Sequence, residues 1–527
     1  MKKGRIFYSF FFTILIVMAL QGNSVLAENL ELSLKNAVEL GILKNRDVII
    51  EKYLHKIAIE KILEAKGIFD PILSSNLEGG YWNVPIAEIF YPKGFYEEKA
   101  VRGGLGLKGK VFSGANYGID FFLERYQTTS QVVTLSPRYS SRLELSLIQP
   151  LLKEFGESIT KTKIRIAETG TKATKLDVKD RVIKTTGAVE SAYWDFVYAM
   201  ENLTLQKEGL TLAQRLVSDI ELKLKAGEMA PIHLIQAKSG QASMEENVIV
   251  AENELKKAEH DLKLLLGVPE MEDTIIPLDR TKELEKIPDL SESLDIAQKN
   301  RPDLQASRFR VEAKKIEERY MNNQLLPRLD LIGKYGKRGL SGEPSPVLVT
   351  GADGKPVPVG NRVVGTPFEG ETSIGDSLND LYPGHGYDYW SVGLKLEIPL
   401  GNREAEGRYR QSRLERKKME TEVKSLDEKI SNEVKKGVLD IQTTIKMREA
   451  AKVTVQFSEE HLKFEEMRFK AGETTSYEVL KIQKDLTDAK TRHLKALIEN
   501  NKAWSRVRMA EGVSLDEYGI EFNEKIM

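Results

Sequence analysis

The chain is 527 residues long, 30% charged and 41% hydrophobic, with no cysteine and a formal net charge of −1. The missing cysteine excludes a disulfide framework, a cysteine nucleophile and a lipid-modified cysteine at a mature N-terminus. The charge balance lacks the positive excess that nucleic-acid binding needs, and so much charge fits long solvated helices better than a large enzyme core.

At the start, Lys2, Lys3 and Arg5 precede an apolar run from about Phe7 to Leu20, and Val25-Leu26-Ala27 suits a signal peptidase. Residues 1–27 therefore read as a cleaved secretory signal peptide, since the run is short for an anchor helix. Its loss takes the net charge from −1 to about −4. No later stretch approaches the length of a membrane-spanning helix. Entry into a membrane would require strands of a closed barrel.

The rest of the chain reads as a duplication. Lys225-Ala226-Gly227-Glu228 recurs as Lys470-Ala471-Gly472-Glu473, and Leu266-Gly267-Val268 is echoed by Glu511-Gly512-Val513, both at an offset of 245 residues. Asn45-Arg46-Asp47 matches Asn300-Arg301-Pro302-Asp303, Pro71 matches Pro327, and Pro150-Leu151 matches Pro399-Leu400. A period near 250 is far too long for a solenoid. The expected organisation is a first repeat at 28–280 and a second at 281–527, joined by a charged, proline-containing linker near Pro269 to Pro288. Each repeat should run short helix, helix, strand, variable region, strand, very long helix, tight turn and returning helix.

Seven-residue spacing marks the long helices. Val189, Phe196, Leu203, Leu210, Val217 and Leu224 recur in the first repeat; Val434, Ile441, Arg448, Val455, Leu462 and Phe469 answer in the second. Such a repeat keeps one seam against a partner by left-handed supercoiling. Proline-free runs of some 65 residues would make rods of roughly 100 Å. Hairpins turning at Gly227 and Gly472 are expected, with alanine-rich seams on the returning helices.

Four segments alternate apolar and polar residues as lipid-facing strands do, near 71–80, 141–149, 327–336 and 389–398. Membrane barrels start at eight strands and tolerate no open edge in lipid, so four per chain would demand at least two copies. Residues 101–126 look like an extra hairpin turning at Ser113-Gly114-Ala115, of undetermined place. Tyr81, Trp82, Tyr91, Phe95, Tyr96, Tyr382, Tyr387, Tyr389 and Trp390 gather beside the strands, as an interfacial girdle or as loop packing. Residues 337–388, rich in glycine and proline, suit a long exposed loop.

Catalytic chemistry finds no support. Gly104-Leu105-Gly106-Leu107-Lys108-Gly109 has a dinucleotide-type glycine spacing but sits in an alternating segment with no helix after it. The six histidines show no ligand spacing, and no metal or cofactor is expected. A structural or adhesin-like coiled coil without a lumen is the rival to a channel.

Taken together, these residues resemble the TolC-like outer-membrane efflux family, the outer membrane factors. The resemblance rests on the glycine turn and helix start at Gly472-Glu473-Thr474-Thr475-Ser476-Tyr477-Glu478-Val479-Leu480, on the similar Gly227-Glu228-Met229-Ala230-Pro231-Ile232-His233-Leu234-Ile235, and on Ile398-Pro399-Leu400-Gly401-Asn402-Arg403. It implies a mainly α fold with membrane β structure: a periplasmic α-barrel of coiled-coil helices and a homotrimer sharing a twelve-stranded barrel, four strands per chain, in the outer membrane of a Gram-negative bacterium. It implies a passive exit duct of a tripartite efflux or type I secretion system. The hairpin tips (Gly227, Glu228, Gly472, Glu473 and Thr474) would meet a periplasmic adaptor, or membrane fusion protein, serving an inner-membrane RND, ABC or MFS transporter. The family's acidic aperture position falls on Glu478 in the second repeat but on His233 in the first, and the next-turn position is Lys481. Glu478 is equally explained as a carboxylate favoured at a helix start.

Overall fold

A computed structural model describes residues 30–87, 94–130, 133–345, 348–350, 356–358, 372–385 and 387–523. The signal-peptide segment 1–27 and Tyr91 lie outside the described residues. In chain order the principal helices are α1 (Leu34–Lys44), α2 (Arg46–Lys66), α3 (Thr162–Lys225), α4 (Pro231–Leu265), α5 (Leu290–Asn300), α6 (Pro302–Asn323), α7 (Ile374–Asn379), α8 (Arg403–Ala471) and α9 (Ser476–Glu511). The strands are β1 (Leu30–Leu32), β2 (Ile72–Pro85), β3 (Phe95–Lys110), β4 (Asn116–Thr128), β5 (Leu135–Pro150), β6 (Ile275–Pro277), β7 (Arg328–Pro344), β8 (Leu348–Thr350), β9 (Pro356–Pro358) and β10 (Tyr387–Glu397). No helix among the described residues is long and apolar enough to cross a membrane.

The chain divides into two compact units, each discontinuous in sequence. Among the described residues, one holds 30–55, 174–306 and 423–523, and the other holds 56–173 and 307–422.

The first unit is built on helical hairpins, α3 with α4 and α8 with α9. Seam residues are buried where the seven-residue spacing puts them: Val189, Phe196 and Val217 in α3, and Val434, Ile441, Leu462 and Phe469 in α8. Arg448 breaks the apolar run yet is also buried. The linker answers it: the Leu284 carbonyl accepts from its Nη1 at 3.4 Å and Glu285 lies 3.7 Å from its Nη2. A buried guanidinium persists only with such partners.

Each of these four helices ends on the same device where a glycine follows. Gly227, Gly267, Gly472 and Gly512 have φ of 77°, 75°, 77° and 77°. In each case the next residue's amide donates back to the carbonyl five residues before it: Glu228 to Lys223, Val268 to Lys263, Glu473 to Arg468 and Val513 to Arg508. This is the Schellman stop, whose left-handed residue glycine adopts without a Cβ penalty. The spacing of these glycines in the sequence is thus the spacing of α3, α4, α8 and α9.

The helix-return corners sharpen the sequence matching. Asn45 and Arg301 occupy the same C-terminal cap position of α1 and α5. Asn45 Nδ2 donates to the Leu265 carbonyl at 2.9 Å, and Arg301 Nη1 donates to the Ala510 carbonyl at 3.5 Å. Asn45 therefore corresponds to Arg301, not to Asn300 as identity of letters suggested. Arg301 is 7% exposed and is held by Asp303 at 2.7 and 3.0 Å and by Glu433 at 3.0 Å. In α3, Glu190 is 1% exposed. It accepts a hydrogen bond from Tyr518 at 2.6 Å and lies 3.8 Å from Arg508.

The second unit carries a six-stranded sheet in the order β10-β7-β5-β4-β3-β2, every neighbouring pair antiparallel. The expectation of four strands per chain, two in the first repeat, is corrected here. The 101–126 segment forms β3 and β4, which insert between β2 and β5 and double the first repeat's share. Val111 and Ala115 are bonded across the turn, and Gly114 holds φ of 92° within it. The dinucleotide-like glycines lie inside β3. Gly104, Gly106 and Gly109 leave room for Asn76, Ser74 with Asp120, and Tyr117, whose side chains reach across the strand.

Candidate functional site at the hairpin turns and the sheet faces

The two hairpin turns share a backbone but not a chemistry. At the first, Ala230 caps α4 without a side-chain bond, and Pro231 opens the helix with a fixed φ and no amide to satisfy. Ile220 is fully buried there, packed with Ala213, Leu216 and Val217, with Met229 against them. At the second, Thr475 caps α9 by accepting from the Glu478 amide at 3.4 Å. The positions matching Ile220 and Met229 by the 245-residue offset are Glu465 and Thr474. The Thr474 hydroxyl donates to Glu465 at 2.5 Å, and Arg468 donates to the same carboxylate at 3.0 Å. That hydroxyl, helped by Arg468, holds the Glu465 carboxyl below the usual carboxylate range. One turn is closed by apolar contact, the other by a charge-assisted hydrogen bond.

The turns also meet each other. The Ser476 side chain is fully buried, 3.4 Å from both Nδ1 and the carbonyl oxygen of His233. Leu480 packs where Gly240 has no side chain; a Cβ there would come within 2.8 Å of it.

The expected site residues distribute as follows. Gly227 and Gly472 are the left-handed residues of the turns, and Glu228 and Glu473 are the exposed residues after them. Thr474 is half-buried on Glu465. His233 is half-buried against Ser476, Glu478 is half-buried in the first turn of α9, and Lys481 is exposed. Within one chain, His233, Glu478 and Lys481 do not converge on a shared contact, whereas His233 and Ser476 do. Glu465 and Ser476 carry no signature in the sequence: their roles depend on partners 9 and 243 positions away. Among the described residues no group of three or more His, Cys, Asp or Glu could hold a metal ion.

The sheet has two chemically distinct faces, read from its pairing register. One face carries Leu73 and Leu77 of β2, Leu105 and Leu107 of β3, Ile119 and Phe121 of β4, Leu143 and Leu145 of β5, Leu331 of β7, and Val392 and Leu394 of β10. The opposite face is charged and cross-linked between strands. Glu124 of β4 pairs Arg102 of β3 at 2.7 Å and Arg138 of β5 at 3.5 Å. Glu144 of β5 accepts from Lys334 of β7 at 3.0 Å and Tyr389 of β10 at 2.6 Å. The aromatic residues divide between the faces: Tyr81, Phe95 and Trp390 lie on the apolar one, and Trp82, Tyr96, Tyr387 and Tyr389 on the charged one. A girdle made of all of them is thereby replaced by two separate sets. The helix α7 docks on the sheet through Ser377, whose carbonyl accepts from the Ser141 hydroxyl beside Gly339.

Comparison with known proteins agrees with this geometry. The model of the outer membrane efflux protein family matches residues 293–513. Among curated proteins no sequence relative matches the chain. Three solved structures have the same fold at low identity. The Campylobacter jejuni CmeC outer membrane channel is 15% identical, with a TM-score of 0.63 over 94% of this chain and 90% of its own. The Neisseria gonorrhoeae MtrE outer membrane channel, solved in an open state, is 15% identical, with a TM-score of 0.62 over 92% and 89%. The Vibrio cholerae outer membrane protein VceC is 15% identical, with a TM-score of 0.62 over 91% and 96%. Residues 293–513 thus match the outer membrane efflux protein family, and the described residues share the fold of these outer membrane channels.

Proposed function

We propose that this protein is the outer-membrane channel of an envelope export assembly: a passive, non-enzymatic duct whose energy comes from its partners. The observation that carries the reading is the sheet, apolar on one face and ion-paired on the other, with both edge strands unpaired on their outer side among the described residues. That arrangement suits lipid outside and water inside, and its edges require further copies of the chain. A homotrimer, as in the family, is the assembly we assign. An apolar stripe on α2, with Ile50, Leu54 and Ile57 exposed, supports packing between copies.

The chain is read as two repeats, 28–280 and 281–527, preceded by a removable signal peptide. The turns at Gly227-Glu228 and Gly472-Glu473-Thr474 are the docking points for a periplasmic adaptor linked to an inner-membrane transporter. Whether the cargo is a small molecule or a secreted protein is set by that transporter. Opening would move the two turns apart, at the expense of the His233–Ser476 contact, and an adaptor that binds the separated form better shifts the balance. Purified protein reconstituted in a planar bilayer should conduct ions. Confirmed insertion without any conductance rejects the channel, and leaves a structural coiled coil in its place.

A further inference from the structure

We propose that each copy contributes six strands, not four, to the shared barrel, so that the trimer assigned above closes eighteen strands around a wider, ion-paired lumen. The inference rests on the channel reading and adds to it a strand count, a wall chemistry and a bore.

The inserted hairpin has the polarity of a membrane wall. Leu105 and Leu107 of β3 and Ile119 and Phe121 of β4 fall on the same face as Leu143 and Leu145 of β5. On the other face, Arg102 and Glu124 join the hairpin to Arg138 of β5, so the charged wall also continues across it. A hairpin folded away from the bilayer would have no reason to keep both patterns in register with its neighbours. An apolar row at this spacing, exposed to water, would be a liability.

The edges point to a second copy as the occupant. Leu77 on β2 is 82% exposed and Trp390 on β10 is 75% exposed, on strands that stand at the two edges of the sheet with no further strand paired to them among the described residues. In lipid the outer backbone groups of such edges must be paired. Six alternating strands leave β2 and β10 running in opposite directions, so β10 of one copy meets β2 of the next antiparallel. The apolar faces of both then remain outward, and no break in the alternation arises on closure. Six strands are fewer than the eight of the smallest membrane barrels, so one copy cannot close on itself. With strands about 4.8 Å apart and tilted about 40°, eighteen give a backbone diameter of about 36 Å, against about 24 Å for twelve.

The cysteine-free chain makes the test direct. Single variants Leu105→Cys and Ile119→Cys, on the apolar face, and Asp120→Cys, on the charged face, are placed in intact outer membranes and probed with a charged maleimide and with a lipid-borne nitroxide quencher. The expected result is maleimide labelling at 120 alone, at least tenfold faster than at 105 or 119, and quenching at 105 and 119 alone. The double variant Leu77→Cys/Val392→Cys should oxidise to a ladder ending at three linked chains. Ser75→Cys/Leu145→Cys, separated by two intervening strands, should give no link within a chain. Equal labelling on both faces of the hairpin, with a 75–145 link in protein that still conducts, overturns the six-strand wall and leaves the channel intact. A ladder stopping at two chains overturns eighteen strands. Loss of both linkage and conductance overturns the channel reading itself.

Discussion

Removing one hydroxyl at the end of the chain should release the C-terminal segment without disturbing the long helices. Tyr518→Phe deletes the hydrogen bond accepted by Oε1 of Glu190 at 2.6 Å, in a site where the residue is 1% exposed. Arg508 stays 3.8 Å away and does not replace it. A hydrogen bond to a buried charged group contributes about 1.5–3 kcal/mol, which corresponds to a roughly 10- to 150-fold rise in local opening. The assay is amide hydrogen exchange at Tyr518, Gly519 and Ile520, whose amides are bonded to Leu515, Asp516 and Leu515. Burial raises the Glu190 pKa, so the folded chain keeps this proton to higher pH than the unfolded chain does. Stability from this group is therefore greatest below the ordinary carboxylate range and declines as pH rises towards the raised folded value. The Tyr518→Phe effect should follow the charge: full above that value and smaller below it. Unchanged exchange at these amides refutes the reasoning, as does an equal effect in a Glu190→Gln background, where no charge remains to be served.

Gly472→Ala meets no atom within 4 Å and suffers only from its φ of 77°, so it should cost about 1–2 kcal/mol and quicken proteolysis at that turn. Gly267→Ala has the same backbone problem and would also drive its Cβ into the Lys44 carbonyl oxygen, so a larger loss of thermal stability should appear in calorimetry. Thr474→Val removes the main cause of the low Glu465 pKa. The stability that this carboxylate supplies is present above the ordinary carboxylate range and lost as pH falls through the depressed folded value; the variant's turn should therefore open to protease at higher pH than the parent's. Gly339→Ala would drive a Cβ into the Ser377 carbonyl, so α7 should leave the sheet, seen as faster exchange across Ile374–Asn379 with the β5–β7 amides still protected.

What the sequence made legible was what local physics decides. A left-handed residue after a helix calls for glycine, so four glycines at matching offsets announced four helix ends. Strands β2 and β7 begin directly after Pro71 and Pro327, where a proline disfavours helix at the residue before it. The hairpin of β3 and β4 was legible from its turn at Ser113-Gly114-Ala115, but its place in the sheet was not, because Gly103, Gly104, Gly106 and Gly109 blur the alternation and only pairing with β2 and β5 supplies the missing side chains. Arg448 looked like a flaw in the seam because its partners, Leu284 and Glu285, are remote in sequence. The same distance hid Arg301, whose counterpart Asn45 shares its task but not its charge.

The unequal closure of the two hairpin turns gives the protein two different thermometers. Apolar contact at Ile220 and Met229 is driven by water release and weakens on cooling, while the Glu465–Thr474–Arg468 bond responds to acid and salt but little to modest cooling. Cold should loosen the first turn while sparing the second, and acid should do the reverse. In the trimeric channel proposed above, two kinds of hairpin that answer to separate stimuli would make intermediate apertures available, not only shut and open.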